Sequence, residues 1–173
     1  MQGTRWPALL LGALILPACN VERTQAPPLA PAFSVGSGVQ AAATGSGHFV
    51  AANGELRKFT FAAITQQNGD VGGQFELVAG DADLVAHGTV ICMTVIDNQA
   101  WIGATVDRNS IGAPFTHGWW RAVDNAATGD PDQVSLLVVA NNPDGNLARA
   151  FCADTPAAFP PLNTVTQGNI SIR

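Results

Sequence analysis

The chain has 173 residues, enough for one domain once a targeting segment is set aside. Hydrophobic residues make up 47% and charged residues only 12%, about half the usual share for a soluble protein, so a disordered polar chain is excluded. The net charge is −5 and Lys58 is the sole lysine, so the grouped cations that neutralise phosphates are missing and nucleic acid is excluded as a partner.

Residues 1–18 read as a signal peptide, with Arg5 ahead of an apolar run over residues 8–16 that is shorter than the roughly 20 residues of a membrane span. The run ends in "LPAC", residues 16–19, which resembles a bacterial lipobox. In lipoproteins of that kind the cysteine is lipidated and becomes the new amino terminus, which here would be Cys19. Pro17 departs from the usual small or aliphatic residue, and the alternative is an ordinary secretory signal cut near residues 29–32. Cleavage before Cys19 would remove one base and no acid, leaving a net charge of −6. Anionic lipid would repel such a surface, so attachment would rest on acyl chains. Asn20, which is not aspartate, points to the outer membrane if the host has two. Residues 19–36 form a Pro/Ala-rich tether reaching on the order of 50 Å at about 3.1 Å per residue. Residues 37–173 are the folded domain.

Within the domain the pattern is strand, turn, strand from Val39 onward. "ELRKFTFAAI" (55–64) places Arg57, Phe59, Phe61 and Ala63 on one face, with Lys58, Thr60 and Ala62 on the other. "QQNGD" (66–70) supplies an Asn-Gly hairpin turn in which both residues tolerate positive φ. "VGGQFELV" (71–78) alternates again. "LVAHGTVICMTV" (84–95) is apolar on both faces, which suits a central strand covered on two sides. Further strands are expected at 100–106, 115–123, 133–140 and 168–173, with a short one near 147–152. Seven to nine short strands at hairpin spacing predict an all-β fold, an antiparallel β-sandwich or barrel-like sandwich.

The segments "GSGHF" (45–49), "FTFAA", "GQFEL", "HGTVICMTVIDNQAWIG" (87–103), "VDNAATGDPDQVSL" and "GNISIR" occur in one order. In this they resemble an uncharacterised family of secreted bacterial all-β domains, hypothetical proteins or lipoproteins of unassigned function. The resemblance covers residues 45–173 and departs at "NSIGAPFTHGWW" (109–120). It implies a fold and an exported location and brings no activity.

Four groups of residues are candidates for chemistry. With Cys19 lipidated, Cys92 and Cys152 remain, and an oxidising compartment favours a disulfide over a buried thiol or a nucleophile. Such a bond would contribute about 4 kcal/mol on the chain-entropy estimate. Asp124, Asn125, Asp130 and Asp132 gather hard oxygen donors of the kind calcium uses, but without EF-hand spacing, and the same residues also build plain turns. His48, His87 and His117 could form a three-histidine zinc site or be singly satisfied side chains. Trp119 and Trp120 face opposite ways on a strand, so one indole beside Arg121 could stack on a glycan or protein partner, or both could be covered.

The chain has no Gly-x-Ser-x-Gly elbow, His-Glu-x-x-His, phosphate loop or Cys-x-x-Cys. The reading that follows is an exported, lipid-anchored module of the bacterial envelope, binding or structural, with no cofactor required. The alternative is a small hydrolase or calcium-binding module using Asp and His residues that the fold brings together.

Overall fold

A computed structural model of the protein describes residues 38–80 and 84–173. The residues read as signal peptide and tether, Cys19 included, lie outside the described residues. The strands are β1 (Val39–Val50), β2 (Leu56–Gln66), β3 (Val71–Ala79), β4 (Leu84–Ile96), β5 (Gln99–Thr105), β6 (Arg108–Asn109), β7 (His117–Val123), β8 (Gln133–Ser135), β9 (Val138–Ala140), β10 (Leu162–Thr164) and β11 (Gln167–Ile172). A single helix, α1 (Asn146–Asp154), stands between β9 and β10.

The all-β antiparallel class is borne out. The strands form one sheet, curled into a half-barrel, in the order β10-β8-β7-β5-β4-β3-β2-β1-β11, with β6 pairing β4 and β9 pairing β7. β4, apolar on both faces in the sequence, is the middle strand of that order. Its concave side meets the main core, and on its convex side α1 covers part of it.

Two local expectations change. The Asn68-Gly69 hairpin forms, but only Gly69 takes positive φ (86°), and Gln66 N–H bonds to Asp70 C=O across the turn. That is a turn followed by a left-handed glycine, instead of two left-handed residues. Residues 147–152 are helical, not extended. Ala148, Phe151 and Cys152 are its buried residues, at i, i+3 and i+4 spacing, so burial selects the helix.

The concave face is filled by aromatic rings. Phe49, Phe59, Phe61 and Trp120 follow one another at centroid separations of 6.2, 6.0 and 5.8 Å, and Phe75 meets Trp120 at 5.2 Å. Phe59 and Phe61 are stacked and the other pairs tilted or edge-on, favourable contacts on top of the area they bury. A residual cavity of about 20 Å³ among Phe61, Phe75, Trp120 and Leu137 has room for about one water, so the half-barrel is closely packed around these rings. Gly88 makes the packing possible: a Cβ there would run into the Thr105 carbonyl and the Phe75 ring. Gly88→Ala is therefore expected to lower stability by about 1–3 kcal/mol through overpacking. A lower urea midpoint with unchanged m-value would show it.

Candidate functional site

Of the four polar residues of the β7–β8 loop, Asp124 and Asp132 turn their carboxylate oxygens onto backbone donors. Asp132 Oδ1 accepts from Asn125 N–H at 2.9 Å and its Oδ2 from Ile170 N–H at 2.7 Å. Asp124 Oδ1 accepts from Ala126 N–H at 3.0 Å and its Oδ2 from Ile172 N–H at 3.0 Å. Asn125 Nδ2 donates to Pro131 C=O at 2.8 Å, while Asp130 sits exposed at the loop tip. Ile170 and Ile172 belong to β11, one end of the sheet, and the loop springs from β7 and β8 near the other end. The two carboxylates thus stand where a neighbouring strand would have placed carbonyls. Val165 N–H bonding to Asp132 C=O at 2.9 Å completes the seam. Asn98, at the β4–β5 corner, donates to Asp124 C=O at 2.8 Å and braces the loop from below.

The convex face carries the cysteines. Cys92 on β4 and Cys152 on α1 form a disulfide with a Cα–Cα distance of 6.2 Å. Gly103, opposite Cys92 on β5, makes the recess, because a Cβ there would lie 2.6 Å from Cys92 Sγ and 3.0 Å from Ala148 O. The helix covers a second apolar cluster of Trp101, Trp119, Ala148 and Phe151, with the Trp119 and Phe151 rings 6.4 Å apart.

Trp119 is 9% exposed and Trp120 4%, one under α1 and the other in the aromatic core, so neither offers an open stacking face. Arg121 is 5% exposed. Its Nη1 donates to the carbonyls of Ala157 and Pro156, and Trp101 Nε1 also donates to Pro156 at 3.1 Å. Arg121 Nε is buried without a hydrogen-bond partner. Burial lowers the pKa of this guanidinium from the ordinary arginine value. Carbonyl dipoles, not a carboxylate, meet its charge among the described residues. The three residues read from sequence as a possible binding patch are wall and fastening.

The histidines stay on three separate strands. His48 is on β1, half-buried His87 on β4 has Nδ1 3.3 Å from Glu76 Oε2, and His117 opens β7, buried, with Nδ1 3.3 Å from Thr116 Oγ1. No group of three or more His, Cys, Asp or Glu side chains converges among the described residues. The convex face of β2 and β3 holds an open depression of about 310 Å³ lined by Ala62, Ile64, Gln66, Gly72, Gly73 and Gln74, a small-residue floor with amide walls.

Sequence reasoning missed Ser135, Asn142 and Gly103. Buried Ser135 accepts from Arg121 N–H at 2.9 Å through Oγ, where the strand expected over 133–140 breaks into β8 and β9. Asn142 Oδ1 accepts from Leu147 N–H at 2.9 Å and so caps α1. No local pattern marks Ser135 or Gly103; Asn142, five residues ahead of Leu147, carried a capping signal once the helix is recognised.

No family model, curated protein or solved structure matches this chain.

Asp132→Ala removes two charge-assisted bonds worth about 1.5–3 kcal/mol each before allowance for partial exposure, so a loss of about 3 kcal/mol is expected in urea unfolding. Asp132→Asn, which keeps one acceptor, should recover about half of that loss. Millimolar calcium is expected to leave the melting temperature unchanged, because both carboxylates already hold amide donors. A rise of several degrees would show that the loop takes up the ion.

Proposed function

We propose that this chain is an exported, lipid-anchored β-domain of the bacterial cell envelope, acting as a non-catalytic binding or structural module held off the membrane by its tether. The observation that carries the reading is "LPAC" with Cys19 at the end of an apolar run, followed directly by the Pro-rich stretch. The Cys92–Cys152 bond supports it from the folded part, because disulfides persist in oxidising, extracytoplasmic compartments.

The non-catalytic part rests on how the reactive side chains are used. Asp124 and Asp132 hold the seam, Arg121 fastens a loop, and the histidines stand apart. A protein or glycan partner would meet the exposed polar face of β2 and β3, where Lys58, Thr60 and Glu76 continue from Gln74 at the depression, and not the buried tryptophans.

The test is expression of the chain and its Cys19→Ala variant in a bacterial host. The parent should sediment with membranes, dissolve in detergent and carry an acylated cysteine as its first residue by mass. The variant should appear in the soluble exported fraction with an unchanged far-UV spectrum. A variant that stays on the membrane, or a parent cut near residue 32, would remove the lipid-anchor reading.

A further inference from the structure

Helix α1 is fixed to the sheet by one covalent bond and by little of its own making. It has nine residues, fewer than an isolated helix needs to persist in water. Its N-cap, Gly145, has no side chain to cap with, so its first amides rely on Asn142 and Asp144 from the preceding turn, and its first turn has no acid and its last turn no base. It buries Ala148, Phe151 and Cys152, so apart from the disulfide its docking rests on two apolar side chains against Trp101 and Trp119 and on one exposed bond, from Arg149 Nη1 to Ile91 C=O at 3.4 Å. The sheet beneath is paired without it. The β4–β5 and β5–β7 ladders run through Cys92, Gly103 and Trp119, and the main core lies on the opposite face. Both ends of the segment are held independently, at Asn142 by Thr116 Oγ1 and at Pro156 and Ala157 by Trp101 and Arg121. Cys152 is buried and Cys92 half-buried, so Cys92 is the more exposed partner of the bond.

We propose that the Cys92–Cys152 bond is a redox-sensitive latch: when a dithiol reductant opens it, α1 lifts from the sheet and uncovers the Trp101 and Trp119 face while the sheet stays folded. A thiolate of the reductant attacks Cys92 Sγ, the bond to Cys152 Sγ breaks, and Cys152 leaves as a thiolate that takes a proton from solvent. The second thiol of the reductant then displaces Cys92, so two electrons pass from dithiol to cystine and the reductant ends as a disulfide. The segment between Asn142 and Pro156 becomes a flap held at both ends. The inference stands on the helix and its bond, and does not depend on how residues 1–37 are processed.

The experiment compares the exported chain before and after dithiothreitol and alkylation, and the C92S/C152S double variant, by segment-resolved amide hydrogen exchange and tryptophan fluorescence. Reduction is expected to speed exchange at residues 147–154 at least about tenfold, to shift emission to the red and to raise acrylamide quenching. Protection in β4, β5 and β7 should be kept. Unchanged exchange in the helix would mean docking does not need the bond. Protection lost across the whole sheet, in the reduced chain as well as the variant, would make the bond a staple of the entire fold. A disulfide that resists dithiothreitol in the native protein would also overturn the latch.

Discussion

The amides of Ile170 and Ile172 point away from β1, toward what would be an unpaired edge, and each meets a carboxylate from the β7–β8 loop. A free edge of this kind invites pairing with other chains, and natural sheets blunt it with charge, bulges or closure. Here charge and closure are combined. Asp124 and Asp132 occupy the acceptor positions a further strand would have filled, and in doing so draw the two ends of the curled sheet together. The aromatic file on the concave side depends on that curvature, since Phe61 and Phe75 come from one half of the sheet and Trp120 from the other.

A sheet whose concave side is full must find other cover for its middle strands on the outside. All seven residues of β7 are buried, and β5 is buried over its central five. The short helix supplies the cover, and its fit is set by what is missing beneath it: without a side chain at Gly103, disulfide and helix backbone can approach the sheet closely. Arg121 then holds the chain that leaves the helix, through carbonyls instead of an ion pair. A charge so placed is costly to bury unless its donors find acceptors, which limits how the segment after α1 can be rearranged.

Much of this was legible. Period-two burial in β2 and β3 and two-faced apolarity in β4 are written into the residues themselves, because each strand's environment repeats along it. The disulfide was expected from the two cysteines that remain when Cys19 is read as the lipidated residue. What was not legible depends on partners far away in the chain. Asp132 and Asp124 find their donors 38 and 48 residues downstream, and nothing in "VDNAATGDPDQVS" tells a calcium loop from a clamp. The helix was missed because its apolar face is a single turn long. Of the two readings left open for the paired tryptophans, the covered one holds, with Trp119 under this helix and Trp120 in the aromatic core.

β1 runs antiparallel between β2 and β11, with 11 registered pairs on one side and six on the other. Any pull that reaches the domain through the chain ahead of Val39 is therefore directed along this strand. Such a load is carried in shear: the two ladders share it and must give way nearly together, where a strand peeled from its end would lose one bond at a time. The same geometry sets Arg173 beside Ala42, with hydrogen bonds of 2.9 and 3.0 Å between their backbones, so the last described residue reinforces the start of the loaded strand. The first strand of the described domain is thus placed to take such a load in shear.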